Sequence, residues 1–223
     1  MRDDLHPMTE RSPGSRSLAE AVRAEGVRDE HLLSAIAEIP RASFVPPEKT
    51  GRAYRDEPVP IPHGQVTTQP SLVAQMVEAL ALRRDEKVLE IGTGYGWQTA
   101  LLARQVSAVW SIERWSDLAE TARANLERAG VDNAHVVVGD GTEGLPEQAP
   151  FDAIVVTAAF TAVPPPLVEQ LAAGGRLVQP IGPGGHDDVT LFEKRPNGLV
   201  NVGRIVPARF VRLHGRYGYA DDA

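Results

Sequence analysis

From Leu18 to Ile39 the apolar residues Leu18, Val22, Leu32, Leu33, Ile36 and Ile39 recur at helical spacing, and Gly26 divides the stretch into two short helices. Residues 1–16 are polar, contain Pro7 and Pro13 and show no period, so a disordered leader is expected there. Between Pro40 and Pro70 the chain holds Pro40, Pro46, Pro47, Pro58, Pro60, Pro62 and Pro70. Their fixed φ angles and missing donors exclude regular structure over much of the segment, and irregular stretches of that length tend to be functional. After Pro70 the pattern turns orderly. A helix over 71–82 is followed by a strand over 87–92, a helix over 97–105, a strand over 108–113 and a helix over 116–129 with Ser116 as N-cap. Strands over 135–140 and 151–158, a helix over 165–172 and a strand over 176–181 complete the alternation. Such β-α-β order implies a mainly parallel sheet covered on both faces. The stretches 188–194 and 200–213, separated by Pro196-Asn197-Gly198, read as an antiparallel hairpin that closes it. The expected organisation is a leader over 1–16, a helical and Pro-rich cap over 17–70, an α/β domain over 71–215 and a flexible tail over 216–223.

Composition narrows the chemistry. At 223 residues the chain suffices for one sizeable α/β domain, and no apolar run approaches the roughly 18 residues of a membrane span. Cysteine is absent, which removes disulfides, thiolate nucleophiles and Cys-ligated metals and fits a reducing cytoplasm. The N-terminus lacks the basic start and apolar core of a secretory signal. A net charge of −7 argues against nucleic acid as the main partner. The six histidines form no i, i+4 pair beside an acid, so no zinc site is expected. Monomer is the default state.

The run Val88-Leu89-Glu90-Ile91-Gly92-Thr93-Gly94-Tyr95-Gly96-Trp97 places glycines between an apolar strand and a helix, where a ligand can lie against bare backbone. Alone, that motif serves NAD, FAD and S-adenosylmethionine alike. Trp97, however, stands where a large ring would crowd a pyrophosphate, and Glu90 would repel one while suiting a cationic amino group and sulfonium. Glu113 ends the next strand, 21 residues after Gly92, where an acid holds ribose hydroxyls. Asp140 ends the third strand and is expected to receive an adenine amino group. Three acids at the carboxyl ends of successive strands line the edge where open α/β sheets bind ligands.

The segments VLEIGTGYGWQ (88–98), SIER (111–114), VGDG (138–141), FDAIVVTAA (151–159), GGRLVQPIG (174–182) and PARFVRL (207–213) resemble, in order and spacing, the protein-L-isoaspartate O-methyltransferases. IAEIPRASFVP (36–46) and Ala53-Tyr54 leading to Pro60-Ile61 extend the likeness to about residues 18–215. The resemblance implies a Rossmann-like methyltransferase fold and S-adenosyl-L-methionine as cofactor, with S-adenosyl-L-homocysteine as product. It further implies methylation of the α-carboxyl of L-isoaspartyl residues in damaged proteins or peptides, the ester then collapsing to a succinimide. It assigns Val66, Thr67, Thr93, Gly96, Arg114, Gly141 and Thr157 to the cofactor beside Glu90, Gly92, Gly94, Glu113 and Asp140. In Gly64-Gln65-Val66-Thr67-Thr68-Gln69-Pro70, Thr68 falls where the family has a serine facing the methyl-transfer site, and is expected to be the catalytic hydroxyl. The competing role for it is a helix N-terminal hydroxyl. Ala158, Ala159, Phe210 and Val211 are implied to meet substrate, the last two by strand addition. Tyr95 and Trp97 replace the usual Ser and Tyr, implying a tighter adenosyl pocket. Because a carboxylate with a pKa near 4 is already ionised at pH 7, the reaction needs alignment rather than a general base. A related enzyme acting on a dedicated peptide or small molecule is the alternative; an NAD-dependent oxidoreductase and a non-catalytic peptide-binding module fit the motifs less well.

Overall fold

A computed structural model describes residues 13–220. Helices α1 (Pro13–Ala24) and α2 (Glu30–Glu38) are followed by 3-10 turns at Arg41–Phe44 and Pro47–Arg52 and by the short strands β1 (Val59–Pro60) and β2 (Val66–Thr67). Then come α3 (Pro70–Ala79), β3 (Lys87–Ile91), α4 (Trp97–Ala103), β4 (Ala108–Glu113), α5 (Ser116–Arg128), β5 (Ala134–Val138) and β6 (Phe151–Val156). The chain ends with α6 (Pro165–Gln170), β7 (Leu171–Ile181), β8 (Asp187–Arg195) and β9 (Gly198–Ala208). A seven-stranded sheet runs in the order β5-β4-β3-β6-β7-β8-β9; β5 to β7 are parallel and β8 and β9 antiparallel. The fold class expected from the alternating pattern is thus the one observed.

Strand parity decides what each face holds. On β6, Ala153 and Val155 join the core beneath α1–α4, whereas Ile154 and Val156 pack in the opposite layer with Leu167 of α6. On β3, Val88 faces the first layer, Leu89 and Ile91 the second. Burial on both sides explains why these strands read as unbroken apolar runs. Leu18 and Val22 of α1 and Leu32, Leu33 and Ile36 of α2 belong to the same core as α3 and α4. The break between α1 and α2 falls at Gly26, and Asp29 caps α2 by accepting from the His31 and Leu32 N–H groups at 2.9 and 3.1 Å.

Several boundaries differ from the sequence expectation. Helix α1 already begins at Pro13 and buries Ser15, so residues 13–16 do not belong to a disordered leader; residues 1–12 lie outside the described residues. Trp115, not Ser116, is the N-cap of α5, and it makes no side-chain cap bond. Helix α6 stops at Gln170 and β7 starts at once at Leu171, its pairing with β6 shifting register between Phe151 and Ala153. Strand β9 ends at Ala208, after which Asp187 accepts from the Phe210 N–H at 3.0 Å and turns the chain toward Ala159. Residues 216–220 are fastened rather than a flexible tail. The Arg216 N–H donates to Asp140 at 2.7 Å, the Tyr217 N–H donates to the Thr142 hydroxyl at 3.0 Å, and the Tyr219 ring meets Phe160 edge-on. Residues 221–223 lie outside the described residues.

At the sheet edge away from the glycine turn, Arg176 of β7 joins three elements. Its guanidinium forks onto the buried Glu86 carboxylate at 2.8 and 2.9 Å and reaches the carbonyls of Leu80, Ala81 and Asp152. Burial would raise the Glu86 pKa, but the Arg176 and Arg83 contacts outweigh it and hold the carboxyl below its ordinary value. The stabilisation is therefore present above the ordinary carboxylate range and fades as pH falls through the depressed value. Arg176→Met leaves Glu86 only the Arg83 contacts and removes three carbonyl bonds, so it is expected to cost about 2–3 kcal/mol in denaturant unfolding at neutral pH; a loss under about 1 kcal/mol would count against this pair as the tie.

Candidate active site

The sheet order reverses between β3 and β6, and the crevice of an open α/β sheet lies at such a point beyond the carboxyl strand ends. Here it is a cleft of about 430 Å³. Its floor starts at Gly92, whose φ is 97° and whose missing Cβ would stand 2.2 Å from the Thr157 Oγ1 atom. That hydroxyl donates to the Ile91 and Gly92 carbonyls at 2.9 and 3.2 Å, bracing the turn from the end of β6. At the end of β4, Glu113 accepts from the Gly94 N–H at 2.8 Å and from the Trp115 N–H at 3.1 Å. Burial raises its pKa, while the backbone N–H groups and Arg114 pull the other way. With the Arg114 N–H also bonded to it, three of the roughly four lone-pair sites of this carboxylate are taken by backbone.

The Pro-rich segment forms the roof. Strands β1 and β2 pair Val59 with Thr67 and Pro60 with Val66, and Ile61, Gln65, Val66, Thr67 and Thr68 line the cleft. The roof is clasped to α5 through His63, whose ring stacks on Trp115 at 4.0 Å and whose Nε2 lies 2.9 Å from Asp117. This contact with His63 holds the Asp117 carboxyl below its usual range. Thr68 is half-buried, and among the described residues no hydrogen bond engages its hydroxyl. The competing helix-capping role is filled by Asp56, which accepts from the Ser71 N–H at 2.8 Å and from Gln69 Nε2 at 3.0 Å. At the far end the cleft meets Leu72, Gln75, Phe210 and Val211.

Of the residues expected at the site, the cleft brings together Val66, Thr67, Thr68, Gly92, Thr93, Gly94, Gly96, Glu113, Thr157, Phe210 and Val211. The others lie elsewhere. Glu90 shares the strand face of Val88, so parity turns it under α4, where it is fully buried and accepts from Thr99 at 2.5 Å and Ser111 at 2.6 Å. Ser111 in turn shares a 2.6 Å hydrogen bond with Thr93, so Thr93 presents backbone to the cleft. Asp140 is not in the lining; one oxygen accepts from the Thr142 N–H and hydroxyl at 2.8 and 2.7 Å, the other from Arg216. Gly141 packs against Ile91, and Arg114 lies over the Trp115 ring at 5.0 Å. Ala158 is outside the lining, and Ala159 spends its N–H and carbonyl on Val211 and Leu213, both at 2.8 Å. Strand addition at Phe210 is closed off in the same way, because Asp187 and Gly185 take its N–H and carbonyl. Sequence reasoning did not find Asp56, the His63 clasp or the buried Arg41 beneath the roof. Of these, Arg41 alone left a signal, a single cation inside the apolar stretch 36–46.

Residues 14–218 match the family model described as protein-L-isoaspartate(D-aspartate) O-methyltransferase. A protein-L-isoaspartate O-methyltransferase of Methanoculleus marisnigri is 50% identical over 201 residues, covering 90% of this chain and 91% of the relative. A solved protein-L-isoaspartate O-methyltransferase superposes with a TM-score of 0.80 at 32% identity over 92% of this chain and 67% of its own. A Plasmodium falciparum structure assigned the same activity and bound to S-adenosyl-L-homocysteine gives a TM-score of 0.78 at 24% identity, covering 90% and 98%, and supports the fold.

The displaced Glu90 yields a pH prediction. Burial pushes its pKa up to about 7, against an ordinary value near 4.3. Between those values the folded chain keeps a proton that the unfolded chain has lost, so stability falls as pH rises. Wild-type protein should lose about 2–3 kcal/mol between pH 5 and 8 through this group, and Glu90→Gln should flatten that part of the unfolding profile. Parallel profiles for the two proteins would place the Glu90 pKa elsewhere.

Proposed function

The chain belongs to the protein-L-isoaspartate(D-aspartate) O-methyltransferase family, and from that membership we propose how its own residues carry the reaction. The enzyme moves a methyl group from S-adenosylmethionine to the α-carboxyl of L-isoaspartyl residues, the opening step of protein repair. The ester then closes to a succinimide that reopens in part as normal aspartate.

The cleft suits the cofactor on two counts. The left-handed Gly92 turn leaves bare backbone along its floor, and Glu113 lines the cleft beside it as the proposed acceptor for the ribose hydroxyls. Bound there, the cofactor supplies an electrophilic methyl on a sulfonium. Gly94, Gly96 and Leu118 would pack the adenosine, while Val66 and Thr67 cover it from the roof. Thr68 donates its hydroxyl to the incoming carboxylate and holds one oxygen in line with the methyl carbon. Val211, whose N–H bonds no backbone carbonyl among the described residues, is proposed to take the substrate backbone. Tyr95 and Trp97 also line the cleft and narrow it around the adenosyl group. The acceptor arrives ionised, so what this chain contributes is alignment and the exclusion of water. The observation that carries the reading is the pairing of the amide-bonded Glu113 on one wall with the unengaged Thr68 hydroxyl on the other.

Residues 17–70 act in this reading as a cap over the domain formed by 71–215. No helix among the described residues is long and apolar enough to cross a membrane. We further infer a monomer working in the cytoplasm without a nucleic-acid partner, in keeping with a cysteine-free chain of net charge −7.

Two measurements test these assignments. Label from S-adenosylmethionine should pass as a base-labile ester to an L-isoaspartyl peptide and not to the matched aspartyl peptide; label on neither, with cofactor bound, would point to a dedicated acceptor. Glu113→Ala should weaken cofactor binding by about 10-fold or more in calorimetry, the scale of a lost charge-assisted hydrogen bond, with the chain still folded though less stable for its lost backbone contacts. Unchanged affinity would remove Glu113 from the ribose.

A further inference from the structure

Beneath the roof lies a buried cation to which the reaction as described assigns no part. Arg41 is fully buried, held by the 3-10 turn Arg41–Phe44. Its Nη1 donates to the carbonyls of Ala53 and Arg55 at 3.1 and 3.2 Å. Its Nη2 donates to the Glu57 carbonyl at 3.1 Å, the Thr67 hydroxyl at 2.9 Å and the Thr68 carbonyl at 3.1 Å. The guanidinium carbon stands 5.4 Å from the centre of the Trp97 ring, and Trp97 also lines the cleft. Every one of the five acceptors is a neutral oxygen. Burial lowers the Arg41 pKa to about 10, so the group is still a cation at neutral pH.

This fan of bonds gathers the irregular stretch 53–57 and the loop 67–68 around one planar group, in a segment with almost no ladder of its own. Thr68 is thereby fixed from two sides: its carbonyl by Arg41, and the residues just after it by Asp56 through Gln69 and Ser71. With the peptide held at both ends, the direction of the Thr68 side chain is set before any acceptor arrives. We propose that Arg41 is a positioning residue for methyl transfer, acting through Thr68 by locking the backbone that aims its hydroxyl. The proposal rests on the reading of Thr68 as the acceptor-facing hydroxyl. A lysine cannot replace Arg41, because a single ammonium has three donors at one point and cannot span five oxygens in a plane.

The test is a double-mutant cycle on the full chain with Arg41→Lys, Thr68→Val and the double variant. It reads kcat and KM on an isoaspartyl peptide, together with the affinity and stoichiometry of S-adenosylmethionine binding. Arg41→Lys should lower kcat about 10- to 100-fold, the scale of a misplaced reacting group. Cofactor affinity should stay within about twofold with one site per chain, and in the Thr68→Val background the same change should cost less than about twofold more. A purely structural Arg41 would lower stoichiometry or affinity in step with kcat, or act equally in both backgrounds; either result overturns the proposal. If Arg41→Lys does not fold, Thr67→Val removes one of the five bonds and keeps the cation. At saturating cofactor its loss of kcat should show the same coupling to Thr68, and a loss that is additive with Thr68→Val, or no loss of kcat, refutes the idea. A wild-type enzyme that binds cofactor but leaves the isoaspartyl peptide unmethylated sinks the functional reading and this proposal with it, whereas an active wild type with additive variants sinks this proposal alone.

Discussion

The contact between Gly92 and Thr157 joins the two strands on either side of the point where the sheet order reverses, and much of the site follows from it. Thr157 must come close enough for its hydroxyl to reach both the Ile91 and Gly92 carbonyls, and a side chain at position 92 would occupy that space. The chain therefore leaves β3 in a left-handed turn, which brings the Gly94 amide onto Glu113 at the end of β4. One steric constraint thus ties the ends of β3, β4 and β6 together and opens a floor of bare backbone beside a fixed carboxylate.

Above that floor the structure works differently. The floor belongs to a sheet packed on both faces, while the roof rests on a small apolar cluster of Val45, Ala53 and Val59, on hydrogen bonds to Arg41, on Asp56 and on the His63 clasp. Chemistry at the cleft depends on registering one against the other, because Glu113 sits in the floor and Thr68 in the roof. The far end of the sheet, where Arg176 of β7 joins the loop between α3 and β3 to β6, carries stability without touching the cleft.

How much of this the chain announces varies from place to place. The parallel sheet was readable because Val88, Leu89 and Ile91, like Ala153 to Val156, are buried on both faces and leave long apolar runs. The place of Glu113 beside the cleft was readable from its spacing after the glycines. The spacing of Glu90 before the glycines says nothing of parity: two residues from Val88, it shares that residue's face and turns inward to Thr99 and Ser111. Nothing in the sequence signals that the chain at Arg216 folds back onto the Asp140 carboxylate. Asp56 and Arg41 act on residues 12 to 27 positions away through irregular backbone, where neither the period of a helix nor that of a strand leaves a trace.

The prolines of the roof have a thermodynamic consequence. Pro46, Pro47, Pro58, Pro60, Pro62 and Pro70 restrict the unfolded chain, so this stretch surrenders less conformational entropy on folding than an ordinary loop of its length. A segment whose strands are two residues long can then stand ordered on one small apolar cluster and a handful of hydrogen bonds. The roof is stiff before any ligand arrives, and ligand binding does not have to supply the free energy of ordering it.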